Sequence, residues 1–170
     1  YNARYEPELE GVDLDGNGTL DAAGSDRMHR LAAGAATIDF GGSVGAKPAL
    51  TYSSRVYATL GSADATPVFS LATSADGLAW QTTVNERTTS GVKKYGPGPG
   101  AWTVAETDAA GVKTVWTYAQ RRLQTVERFA ANGQRLEKSL YAYDGLGRVL
   151  EASEYDCATG AMRTTRMTYD

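Results

Sequence analysis

Short runs of alternating polar and apolar residues, interrupted by glycine-centred turn signals, dominate the chain from residue 75 onward. The signals are Ala75-Asp76-Gly77, Thr89-Ser90-Gly91, Ala109-Ala110-Gly111, Ala131-Asn132-Gly133, Gly145-Leu146-Gly147 and Ala158-Thr159-Gly160. Asp-Gly and Asn-Gly favour hairpin turns because both residues tolerate a positive φ. Between them lie runs such as Val112–Tyr118 and Val149–Tyr155, whose length and β-branched or aromatic content suit strands. The pattern predicts consecutive antiparallel hairpins, a β-meander, from about residue 50 to 170. Upstream, Thr37–Phe40, Tyr52–Leu60 and Val68–Leu71 also read as strands. Asp26 to Ala33 reads as a helical turn or two capped by Ser25. Gly96-Pro97-Gly98-Pro99-Gly100 can only be a bent connector.

A period overlies the hairpins. Tyr118, Tyr143 and Tyr169 are spaced by 25 and 26 residues. Between them Phe129 corresponds to Tyr155, and Gly133 to Gly160, while Leu123 falls near the place of Val149 or Leu150. Each unit reads strand, turn, strand, with aromatic residues at set stations. Such units bury their apolar faces on their neighbours, so the expected object is a continuing sheet.

The segment Tyr141-Ala142-Tyr143-Asp144-Gly145-Leu146-Gly147-Arg148-Val149 resembles the YD repeat of the RHS family, in which Tyr-Asp is followed by Gly-Arg and an aliphatic residue. The cycle runs on through Tyr155 and Gly160 to Tyr169-Asp170, where the next repeat would begin. At Tyr118 the pattern departs: Ala119 follows, and Arg121-Arg122-Leu123 stands in place of Gly-Arg. The resemblance implies a spiralling sheet that can close into a shell around a toxin. It further implies a large secreted or cell-surface protein, bacterial in origin, with neighbouring repeats and the rest of the parent chain as partners. The family's self-cleaving core contains Asp-Pro, which this sequence lacks, so no autoproteolytic role is carried over. The expected organisation is an acidic segment at 1–45, boundary hairpins at 46–100, and repeat hairpins at 101–170 continuing into a larger protein.

Charge singles out the N-terminal segment. Residues 1–26 hold seven acids and one base, leaving +3 on the remainder against a total of −3. No dense basic stripe exists, which argues against a nucleic-acid partner. Within the acidic run, Asp13-Leu14-Asp15-Gly16-Asn17-Gly18-Thr19-Leu20-Asp21 resembles the calcium loop of EF-hands and many extracellular proteins. Alternate oxygens can wrap one hard cation, and the glycine at the sixth position makes the sharp turn. Asp13, Asp15 and Asn17 would give side-chain oxygens, Thr19 its carbonyl, and Asp21 a direct or water-bridged contact. At the twelfth position stands Gly24, so Asp26 or an acid from Glu6–Glu10 would replace the usual glutamate. The competing readings are a solvated acidic turn and an Asn17-Gly18-Thr19 glycosylation sequon.

Little else suggests chemistry. Gly41-Gly42-Ser43-Val44-Gly45 matches the hydrolase nucleophile pattern, but the single histidine, His29, lies upstream and Pro48 follows closely. The single cysteine, Cys157, sits beside a turn without an identifiable base and excludes an internal disulfide or cysteine zinc site. No run approaches the roughly 20 apolar residues that cross a bilayer. The reading is therefore a non-catalytic structural module ordered by calcium. The alternative is a carbohydrate-binding or adhesion module, with glycans stacking on Trp80, Trp102 and Trp116.

Overall fold

The computed structural model describes residues 9–21, 27–42, 44–56 and 66–170. Among them lie twelve strands and no helix: β1 (Leu9–Val12), β2 (Arg27–Asp39), β3 (Ala46–Val56), β4 (Thr66–Ser74), β5 (Ala79–Val84), β6 (Arg87–Tyr95), β7 (Trp102–Thr107), β8 (Lys113–Ala119), β9 (Arg122–Phe129), β10 (Arg135–Tyr143), β11 (Val149–Asp156) and β12 (Met162–Arg166). Strand order follows chain order, and the architecture is the antiparallel meander that the turn spacing predicts. No helix among the described residues is long and apolar enough to cross a membrane. The strands group into two compact units, residues up to Thr88 and residues from Thr89.

In the first unit the sheet begins well before residue 50. Residues 27–33 are strand rather than the expected helical turn, while Ser25 and Asp26 lie outside the described residues. The reason is pairing: β2 runs against β3 from His29↔Val56 to Asp39↔Ala46 without a register break. A ladder of that length outweighs the modest helix preference of the alanines at 32, 33, 35 and 36. The strand expected at Tyr52–Leu60 is described only as far as Val56. Phe40, Ala49, Ala72 and Ala79 form the buried cluster, with Ile38 and Val44 packed against it.

Polar bonds tie this cluster to the next turn. The buried Ser74 hydroxyl accepts the Ala79 N–H at 2.8 Å and lies 2.6 Å from Asp76 Oδ1. Lys47 Nζ on β3 reaches Asp76 Oδ2 at 2.7 Å. The Lys47 bond, reinforced by Ser74, holds the Asp76 carboxyl well below the usual carboxylate range. One turn is thereby bonded to a strand two places back in the chain.

In the second unit, β7, β8 and β9 are half-buried at almost every position, with no alternation of buried and exposed residues. Within that unit neither face of these strands is packed like a core, so cross-strand neighbours carry the stabilisation. Trp102 faces Tyr118 in register, and their rings stack at 4.7 Å with planes 16° apart. Charges pair across the following strands, Arg128 with Glu137 at 3.5 Å and Arg135 with Glu127 at 3.2 Å.

Five of the six turn signals become turns, each with its glycine at positive φ: Gly77, Gly111, Gly133, Gly147 and Gly160. Thr89-Ser90-Gly91 does not, since it lies inside β6 with Gly91 buried. The chain reverses instead at Asn85-Glu86, a two-residue link with both residues at positive φ, 47° and 67°. Gln120-Arg121 joins β8 to β9 in the same manner, at 51° and 62°. Mirror-image turns of this kind match the strand twist and normally use Asn-Gly. Without the glycine these two left no legible mark in the sequence.

Candidate functional site

The period of 25 to 26 residues has a physical counterpart at the end of β10. The ladder between β10 and β11 slips at Ala142/Tyr143, so that Tyr143 faces Val149. The half-buried Tyr143 donates its hydroxyl proton to the carbonyl of Leu123 on β9 at 2.6 Å. That bond fastens the open end of the β9–β10 hairpin. Burial of the ring pushes the phenol pKa up, so the hydroxyl stays a donor across the physiological range.

The turn after Tyr143 is organised by Asp144. Asp144 Oδ1 accepts the N–H groups of Leu146 and Arg148 at 2.9 and 2.8 Å, and Oδ2 accepts Arg148 Nε at 2.7 Å. Its backbone exchanges bonds with Arg148 and Gly147. The Arg148 N–H, then the Arg148 side chain, hold the Asp144 carboxyl below the usual carboxylate range. Gly147 has φ 89°. A Cβ there would stand 2.7 Å from Arg122 Nη2, which would have to shift, but it is the positive φ that restricts the position.

Arg122, which stands where the repeat pattern departs from Gly-Arg, completes this arrangement. Its guanidinium lies 5.7 Å from the centre of the Tyr143 ring, and Nη1 donates to the Asp144 carbonyl at 3.3 Å. It therefore touches the tyrosine of its own hairpin and the turn of the next one. The arrangement recurs one period later: Arg148 lies 4.4 Å over the Tyr169 ring, and the Tyr169 hydroxyl donates to the Val149 carbonyl at 2.8 Å. Both tyrosines reach back 20 residues. Leu123 therefore corresponds to Val149 rather than Leu150, and Arg122 takes the station of Arg148. The readable signal was Arg followed by an aliphatic residue, 20 to 21 positions before the tyrosine.

Tyr118 is placed differently, with its ring against Trp102. Counting back 20 residues from Tyr118 reaches Gly98, inside the Gly-Pro connector rather than on a strand. Tyr155 sits half-buried in β11 opposite Lys138 and Met162. Gly160 has φ 72° and donates its N–H to the Asp156 carbonyl. Asp156 itself accepts from Ala158, Thr159 N–H and Thr159 Oγ1, and the Thr159 side chain is the main reason that its pKa is lowered. Asp108, which the sequence reading did not single out, organises the β7–β8 turn in the way Asp144 does, accepting from Ala110 and Val112. Asp170 is exposed.

In the acidic segment, Asp13 Oδ1 accepts the Gly16 N–H at 2.6 Å and Oδ2 accepts that of Gly18 at 2.7 Å. The Gly18 bond is the chief cause of a lowered Asp13 pKa. Asp15 accepts the Asn17 N–H at 3.0 Å, and Asn17 Oδ1 accepts the Thr19 N–H at 2.8 Å. Gly16 and Gly18 take φ 72° and 82°. Asp21 is exposed. Asp26 lies outside the described residues. Among those described, no three of His, Cys, Asp and Glu converge as metal-binding groups. Ser43 is likewise outside; His29 is exposed on β2, and Cys157 is exposed in the β11–β12 turn. Comparison of the chain with protein-family models, curated proteins and solved structures gives no match.

Two predictions follow from this geometry. Tyr143→Phe keeps the ring and removes the bond to the Leu123 carbonyl, and should cost about 1 kcal/mol in urea unfolding. An unchanged midpoint would remove the hydroxyl from the account.

Stability should also depend on acidity. The lowered pKa of Asp144 gives stabilisation that is present above about pH 4, the unfolded value. It is lost as pH falls through the lower folded value. Melting temperature should therefore decline on acidification from pH 5 to 3, with a shallower decline in Asp144→Asn. Equal slopes for the two proteins would contradict the assignment.

Proposed function

We infer that the chain is a non-catalytic structural module of a YD-repeat type protein. It forms part of a β-sheet shell or stalk in a large secreted or cell-surface molecule. One observation carries this reading: Arg122, Leu123 and Tyr143 share two contacts with Arg148, Val149 and Tyr169, 26 residues further on, the guanidinium against the ring and the hydroxyl on the aliphatic carbonyl. A repeated fastening that joins each hairpin's mouth is what a sheet built by repetition needs, because every unit relies on the next. A carbohydrate-binding role is less well supported. Trp102 is already stacked on Tyr118, and Lys93 Nζ stands 5.2 Å from its ring centre.

The direct test is duplication. Inserting a second copy of residues 123–148 between Arg148 and Val149 keeps every Arg-aliphatic and Tyr-Asp junction intact. The longer protein should gain β signal in proportion to its added length, melt no lower than the parent, and resist protease across the insert. An insert that is cleaved while its flanks survive would overturn the repeat reading.

Calcium ordering of the acidic segment belongs to the same proposal. The alternate oxygens of Asp13, Asp15 and Asn17, the carbonyl of Thr19, and Asp21 would hold the ion. Each carboxylate oxygen now spent on a backbone N–H has a second lone pair for a cation. Bound calcium would supply charge neutralisation to a segment whose acids repel. Added calcium should raise the melting temperature and chelator reverse the rise, by mass action on the folded state. Superimposable melts and no binding heat would leave the loop as an acidic turn.

A further inference from the structure

The tall apolar side chains of the first unit do not share a face with its buried cluster. Residues paired across an antiparallel ladder point to the same face, and successive residues of a strand to opposite faces. Ala49, Ala72 and Ala79 occupy one face, where Ile38 and Val44 pack against the cluster. The register gives the occupants of the other. Ala35, Leu50, Thr73 and Trp80 form one row across β2 to β5, and Ala33, Tyr52, Leu71 and Thr82 the next. From residues 31 to 37 of β2 across to β5 this face holds no charged residue. Leu50 is 69% exposed and Tyr52 41%. All four strands are interior to the sheet order, so the apolar surface is a face and not an edge.

Size, charge and shape select the occupant. Four strands about 4.8 Å apart, followed over six steps of about 3.3 Å, make a face of roughly 19 by 20 Å. With the relief of their side chains, two such faces reach the roughly 1,000 Å² that a specific interface needs. A face without charge meets its own copy without like charges opposing one another. Its relief is stepped: β2 presents exposed alanines at 33 and 35, while β4 and β5 raise Leu71 and Trp80. A two-fold axis along the strands sets β2 of one copy over β5 of the other. The alanine strip then receives the indole, and β3 lies over β4.

We propose that this face of β2–β5 pairs with the same face of a second copy of the chain, forming an aligned two-layer sandwich about a two-fold axis. Sheets packed in this way lie about 10 Å apart, with strands about 30° from parallel. The repeat hairpins and their strand edges take no part, so a continuing sheet is compatible with it. It needs neither the repeat family nor calcium and can fail while both of those stand.

The test is self-association of the full chain by sedimentation equilibrium. A monomer–dimer equilibrium in the micromolar range is expected, with a melting temperature that rises with protein concentration. Ala32 and Ala33 are exposed neighbours on β2 that point to opposite faces, which makes them a matched pair. Ala33→Asp puts two unpaired carboxylates into the interface and should weaken dimerisation at least about a hundredfold. Ala32→Asp should leave it unchanged. Leu50→Asp, at a position already open to water, should give the same loss from β3 if Ala33→Asp fails to fold. Trp80→Ala should weaken the dimer about tenfold. In a dimer mixed from labelled and unlabelled copies, isotope-filtered NOEs should join the Trp80 ring to the Ala33 and Ala35 methyls. A chain still monomeric at about 1 mM would overturn the proposal and leave the face to another partner or to cover from within the chain. A dimer that responds alike to Ala32→Asp and Ala33→Asp would overturn it too.

Discussion

The constraint behind this structure is the near absence of a packed interior. The buried hydrophobic residues among those described are Met28, Phe40 and three alanines, and no large side chain is completely enclosed. An alanine removes little apolar area from water, so burial of this kind gives each strand only a small share of stability. Most domains avoid the problem by pressing a second layer onto the first. Within each unit, the described strands are held edge to edge. Backbone ladders, side-chain contacts between facing residues, and the chemistry of the turns are the means available.

Seen in that light, the polar details are the framework. The aspartates at 76, 108, 144 and 156 each collect N–H groups at a chain reversal that would otherwise have to find water. A glycine at positive φ completes each of these turns. Arg122 and Arg148 add contacts beyond a single hairpin. Each spreads a flat cation over the ring of a tyrosine whose hydroxyl anchors the residue following that arginine. Energy is distributed over many modest contacts, consistent with a sheet whose stability accumulates unit by unit.

Much of this was legible because it is local. Tyr143-Asp144, Gly147 and the glycine turns are encoded within a few residues of where they act, and the meander follows from them. What escaped the sequence was of two kinds. The reversals at Asn85-Glu86 and Gln120-Arg121 use ordinary residues in a left-handed conformation, held by the flanking ladders rather than by their own preference. The partnership of Arg122 with Tyr143 spans 21 positions and depends on which face each strand presents, which pattern alone does not give. The misread helix at 26–33 has the same origin, for alanine-rich segments are settled by their pairing partner.

The order of the strands also bears on how the chain acquires its shape. Among the described residues every pairing joins a strand to the one made just before it, so none of these strands must wait for a distant partner. Loop closure is short at each step, the regime in which β proteins fold fastest. On a ribosome such a chain could assemble in the direction of synthesis, hairpin by hairpin, with each completed reversal serving as a template for the strand still emerging. Pulled from its ends, it would be expected to yield in the same small increments.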